Sequence, residues 1–281
     1  MFLKLETVQP TFSYKIRGAF NAILTLLERH DRAAPLLVTA SAGNHGRALA
    51  HAARAAGLSL TVYVPAQAPR AKTDAIRAMG VELIECRDYD EAESRAKEHA
   101  ASGRALYISP YSHPDVIAGA GTIGLELLED IRDLHTIVVP VGGGGLVSGI
   151  AVAVKSGPRS PAVIGIEVEA SSPFTASLAA RRIVPIDVQP TLADGLAGNL
   201  DPDTITFDLV SRLVDDIVVV SESQLRQAIG DVFREEDLVI EGAAAVGIAA
   251  LTGGRIDVRG RRVAVILSGA NINPETIKGL V

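Results

Sequence analysis

A single cysteine, Cys86, stands in a chain of 281 residues. That excludes a disulfide framework and any site built from several thiolates. Cys86 closes the strand-like run VELIEC and reads as a small apolar residue at a strand end. No apolar run approaches the ~20 residues of a membrane helix, and the opening MFLKLETVQP has no apolar signal-peptide core. A soluble, cytoplasmic, reducing setting is therefore expected. There is no basic excess: 27 Lys and Arg face 33 Asp and Glu, a net charge of −6, so neither duplex nucleic acid nor a membrane is expected as a partner. Aromatics are only 4% of the chain, but 48% is hydrophobic, enough for one large domain or two smaller ones.

Continuous β-branched runs alternate with helix-like stretches. The runs are 35–39, 60–65, 81–86, 105–109, 136–141, 162–168, 216–220 and 262–268. Helical patterns lie near 44–56, 69–79, 89–101, 115–129 and 146–155. Unbroken apolar strands joined by helical crossovers predict an α/β fold with parallel sheets and helices on both faces. Residues 181–204, carrying Pro185, Pro190 and Pro202, form the loosest stretch. No linker announces a domain boundary.

Four segments carry chemistry. In QPTFSYKIRGAF, Lys15 opens an amphipathic helix, where the macrodipole disfavours a cation. It is either a solvated lysine or an amine tuned as a nucleophile. In TASAGNHG, residues Ser41 to Gly46 join a strand to a helix. Ser41 and Asn44 either cap that helix or, with the loop N–H groups, cradle a carboxylate; His45 is expected to face the loop. In TIVVPVGGGGL, a buried strand runs into Gly142, Gly143, Gly144 and Gly145. Four glycines exceed the needs of a turn, and N–H groups aimed at a phosphate at a helix start explain them all. In VAVILSGAN, Ser268 stands at a strand tip, where α/β sheets place ligands, although Ser268 and Asn271 also suit turn capping. A literal G-x-G-x-x-G at Gly119, Gly121 and Gly124 lies in a helical stretch and reads as close helix packing rather than a dinucleotide site.

Taken in order, these four motifs resemble those of the fold-type-II pyridoxal-phosphate enzymes, and within them the threonine/serine dehydratase and serine racemase group. The likeness runs over nearly the whole chain and includes PRAKTDAIRAMGVELIE, HPDVIAGAGTIGLEL and TLADGLAGN. It implies a two-domain α/β fold like that of the tryptophan synthase β subunit, with a cofactor domain of 1–27 and 113–281 and a small mobile domain of 36–112. It implies that Lys15 holds pyridoxal 5′-phosphate as a Schiff base and that Tyr14 takes the place of the usual Phe beside the ring. Asn44 would bond the cofactor's 3′-oxygen, Gly142 to Gly145 with Leu146 the phosphate, and Ser268 the pyridine nitrogen. Ser41, Ala42, Gly43, Asn44 and His45 would receive the substrate carboxylate.

The implied activity is α,β-elimination from L-threonine, L-serine or a related β-hydroxy amino acid, giving a 2-oxo acid and ammonia, in a homodimer or homotetramer. Ala42 stands where the serine racemases have a second serine, which favours dehydratase over racemase. Other readings are a serine racemase, a β-replacement enzyme such as cysteine synthase, a lyase for unusual hydroxy amino acids, or an inactive truncated cofactor-binding protein. Family members usually carry a longer segment before the first matched strand, whereas the match here starts at FLKLE; a misplaced start or a cut chain is the expectation. Ten residues after Asn271 leave no room for an ACT-like regulatory domain, so feedback by isoleucine through one is not expected. No acid follows Glu167 at the spacing of the racemase group's metal site, so no metal is expected. The family's E-P-x-G-A segment is replaced by Glu241, Gly242, Ala243 and Ala244.

Overall fold

The computed structural model describes residues 1–29 and 35–280. Residues 30–34, between the two expected domains, and Val281 lie outside the described residues. Among the described residues the chain runs β1 (Phe2–Leu5), α1 (Lys15–Arg29), β2 (Leu36–Ala40), α2 (Asn44–Ala56), β3 (Leu60–Pro65), α3 (Arg70–Arg77), β4 (Glu82–Cys86), α4 (Tyr89–Ala101), β5 (Ala105–Tyr107) and α5 (Pro114–Asp130). It continues through β6 (Thr136–Pro140), α6 (Gly145–Lys155), β7 (Ala162–Val168), α7 (Pro173–Ala180), α8 (Thr206–Leu213), β8 (Asp216–Val220), α9 (Glu222–Glu236), α10 (Gly242–Thr252), β9 (Val263–Leu267) and α11 (Pro274–Lys278). Each strand-like run of the sequence contains a strand. None of the described helices is long and apolar enough to cross a membrane.

The chain packs as two units, Met1–Tyr14 with Ala120–Val281, and Lys15–Gly119.

The first unit holds a five-stranded sheet in the order β1-β9-β6-β7-β8, every pairing parallel. Of its three inner strands, β6 and β9 are buried at every residue, as a sheet covered on both faces requires. Alternate side chains divide between two cores. Val138, Val265 and Leu267 pack with Leu225, Ile229, Val246 and Ala249 of α9 and α10. Ile137, Val139, Ala264 and Ile266 pack with Ile123, Ile150, Val154 and Val210 of α5, α6 and α8. Each fully buried Val or Ile contributes about 1.5–3 kcal/mol, and a one-residue slip of register would exchange the two sets.

The second unit holds a four-stranded parallel sheet, β4-β3-β2-β5. Helix α1 buries Ile16, Ala19, Ile23 and Leu26, a helical spacing, in one cluster with Ala48, Leu49, Ala52 and Ala53 of α2. On the other face α4 places Ala92 and Ala96 with Val38, Ala40, Tyr63 and Cys86. Cys86 is buried at the end of β4, and burial pushes its thiol pKa up against the opposing Arg95 charge.

The G-x-G-x-x-G match lies within α5 rather than after a strand. A Cβ on Gly119 would come within 2.5 Å of the Arg17 carbonyl oxygen, and one on Gly121 within 2.9 Å of the Gly149 carbonyl oxygen. These glycines let helices approach closely. In 181–204 the chain forms one short 3-10 turn, Asp194–Leu196. The carbonyl of Leu192 there lies so close to Gly242 that any Cβ at 242 would overlap it.

Candidate active site

In the second unit, α1 begins at Lys15 with no acidic residue in its first turn. Lys15 Nζ donates to the carbonyl oxygen of Pro110 at 2.6 Å. The strand end before Pro110 is pinned from below. The Ile108 carbonyl accepts the Thr39 hydroxyl at 2.8 Å and faces His45 Nε2 at 3.1 Å, while Ser109 Oγ accepts the Ser112 N–H at 3.0 Å.

His45 does not face the loop as expected. Its ring is 2% exposed, because the chain turns it inward under Ile108. Burial, then the charge of Lys15, lowers its pKa from 6.5 to about 3, against the Ile108 carbonyl, which raises it. The ring is therefore neutral near pH 7. With a carbonyl as its partner, Nε2 carries the proton, and Nδ1 is buried with no hydrogen bond. What His45 presents to the loop is its backbone. The N-cap of α2 is Gly43, which has no side chain to cap with. Ser41 Oγ accepts the Gly43 N–H at 3.2 Å. N–H groups at a helix start suit an anion. Ala42 is half-buried and carries no polar atom on its side chain.

In the first unit, the tip of β9 and the residues before Lys15 are laced together. The Tyr14 N–H donates to the Ser268 carbonyl at 3.0 Å and the Ala270 N–H to the Phe12 carbonyl at 2.9 Å. Asn271 Nδ2 donates to the Thr11 carbonyl at 2.9 Å, tying this loop to the residues before α1. Ser268 is 3% exposed.

The glycine run joins β6 to α6. Gly144 is the N-cap of α6, at φ +84°, with no side-chain cap, and Gly145 and Leu146 begin the helix. A left-handed N-cap, bare N–H groups and the positive end of the dipole fit a phosphate. The loop is braced by Thr206, whose hydroxyl donates to the Gly143 carbonyl at 2.8 Å. An open groove of about 720 Å³, lined by Arg182, Asn199, Leu200, Thr204, Phe207 and Asp208 among others, shares Thr204 with this brace through the Thr204–Thr206 hydroxyl pair. Among the described residues no group of three or more His, Cys, Asp or Glu could hold a metal ion.

Sequence reading missed several supporting residues. Pro110 has no motif; only its carbonyl matters. Glu241, 6% exposed, donates its N–H to the Gly269 carbonyl and lays its carboxylate against Gly269. A lone acid before the apolar run of α10 was the available signal. Likewise Glu167 is the one charge in AVIGIEV.

The family model for pyridoxal-phosphate-dependent enzymes matches residues 1–269. The chain is 42% identical to the L-threonine ammonia-lyase of Thermotoga maritima over 287 aligned positions, all of this chain and 71% of that protein. Among solved structures it resembles the processed threonine deaminase isoform 2 of Solanum lycopersicum, at 33% identity and a TM-score of 0.89, covering 99% of this chain and 81% of that one. It also resembles maize serine racemase, at 30% identity and a TM-score of 0.90, covering 99% and 85%.

Proposed function

Because the chain belongs to the pyridoxal-phosphate-dependent enzymes, we propose that it is an ammonia-lyase, converting L-threonine, L-serine or a related β-hydroxy amino acid into a 2-oxo acid and ammonia. Its cofactor, pyridoxal 5′-phosphate, supplies when bound the electron sink for loss of the Cα proton. The lyases and deaminases among its relatives support this reading. The observation that carries it is Ser268, buried at the tip of β9: a hydroxyl there would not hold a proton on the cofactor's ring nitrogen as a carboxylate would. The cofactor would then be a weaker sink, suited to prompt loss of the β-hydroxyl.

Lys15 would hold the cofactor, and its Nζ is the base placed to take the Cα proton. Tyr14 would flank the cofactor, and Asn44 would bind its 3′-oxygen. Gly142, Gly143, Gly144, Gly145 and Leu146 would receive the phosphate on backbone N–H groups. Ser41, Ala42, Gly43, Asn44 and the backbone of His45 hold the substrate carboxylate at the start of α2. The working assembly is a homodimer or homotetramer in the cytoplasm.

The test is release of ammonia and 2-oxo acid from a panel of β-hydroxy amino acids by cofactor-loaded protein. Equal amounts of both from L-threonine or L-serine are expected. Cofactor uptake without release from any member would overturn the reading. The racemase reading draws on the likeness to maize serine racemase; Ala42, which has no proton to give from the opposite face, stands against it.

A further inference from the structure

Gly144, which turns the chain into α6, is pressed against a ring. A Cβ there would sit 2.6 Å from Phe174 Cζ and 3.0 Å from its Cε2. Phe174 is fully buried near the start of α7, and one carboxylate holds it in place. Glu167, near the end of β7, accepts the Phe174 N–H on Oε1 at 2.8 Å; on Oε2 it accepts the Thr175 N–H at 2.8 Å and the Thr175 hydroxyl at 2.6 Å.

Glu167 is completely buried in a strand whose other residues are apolar or glycine. Burying a carboxylate is costly unless it is well bonded. Three donors at the positive end of a helix supply that condition. Burial pushes its pKa up, and the bonds from Thr175 and Phe174 oppose the rise. The sheet alone has no need of an acid at this position. The acid's contacts are with the first turn of α7, and the next contact along is the glycine loop.

We propose that Glu167 is a positioning residue for the cofactor phosphate: through Phe174 it fixes Gly144, and with it the N–H groups that open α6. The inference rests on reading Gly142 to Gly145 as the phosphate site. It differs from a plain folding role in one respect, which is that the effect should depend on the phosphate.

The experiment titrates the apoenzyme with pyridoxal 5′-phosphate and, separately, with pyridoxal, following absorbance, for wild type, Glu167→Gln and Phe174→Leu. Glu167→Gln removes charge-assisted bonds to α7. Phe174→Leu keeps the site apolar and the Glu167 bonds intact but removes the ring from Gly144. Both variants should bind the phosphate form about tenfold more weakly, a loss of about 1.4 kcal/mol, with pyridoxal affinity unchanged. Variants that match wild type for both forms, or lose both equally, would overturn the proposal. Should Glu167→Gln fail to fold by circular dichroism, Phe174→Leu decides alone by the same criterion. A wild type that binds pyridoxal as tightly as its phosphate overturns the glycine-loop reading itself, and the inference with it.

Discussion

Lys15 Nζ and the carbonyl oxygen of Pro110 are 2.6 Å apart. An ammonium at the first residue of a helix faces the positive end of the dipole, and this carbonyl gives it an acceptor. Borohydride treatment of the holoenzyme followed by peptide mapping should place the cofactor on Lys15. Lys15→Ala should lower elimination by at least about 10²–10⁴-fold, the contribution of a well-placed general base. Cofactor fixed to another lysine would rule out the assignment.

Ser268→Asp should change how the reaction partitions. A carboxylate at the tip of β9 would stabilise a protonated ring nitrogen, and exchange or transamination should rise relative to elimination. The ratio of 2-oxo acid to side products, measured by chromatography, is the readout. An unchanged ratio would count against Ser268 as the ring-nitrogen partner.

Ala42→Ser tests what separates elimination from racemisation. If the chain lacks only a proton donor on the face opposite Lys15, the variant should form D-serine from L-serine above the wild-type level. A well-placed general acid contributes about 10²–10⁴-fold, so a poorly placed hydroxyl should still be detectable by chiral chromatography. Elimination should persist. Rapid racemisation by the wild type would show that another residue already donates that proton.

His45 should make the fold sensitive to acid. Its pKa is about 3 in the folded chain, against 6.5 for an unperturbed histidine. Between those values the unfolded chain binds the proton and the folded chain does not, so this group's contribution falls as pH drops below 6.5 and is complete above it. The slope is at most about 1.4 kcal/mol per pH unit, or roughly 2 kcal/mol between pH 7.5 and pH 5. His113, also lowered by burial, acts in the same direction. Urea unfolding of His45→Gln at those two pH values should show a smaller acid loss than wild type by about that amount. An equal loss in both proteins would mean that His45 is not the group responsible.

The strands were legible because each buried run is continuous and β-branched. β6 and β9 could hardly read otherwise. β1 was not separated from the loop that follows it, because Phe2–Leu5 is a short edge strand whose partner, β9, lies more than 250 residues away. The glycine run and the Ser268 tip were visible as motifs, since their chemistry lies in backbone and residue type. His45 was misread: whether a histidine faces a loop or the interior depends on which carbonyl waits beneath it, and Ile108 is remote in sequence. The links from Glu167 to Phe174, seven residues on, and from Thr206 to Gly143, far off in sequence, were equally invisible. They span short gaps in space that no periodicity encodes.

The contact between Gly242 and the Leu192 carbonyl bears on exchanging parts among relatives. The backbone around 192 fills the volume that a side chain at 242 would need, and any Cβ there would overlap the Leu192 carbonyl. Position 242 and the loop around 192 can therefore only be exchanged together. A chimera that brings a larger residue to 242 without a differently placed loop would carry a collision directly beside Glu241.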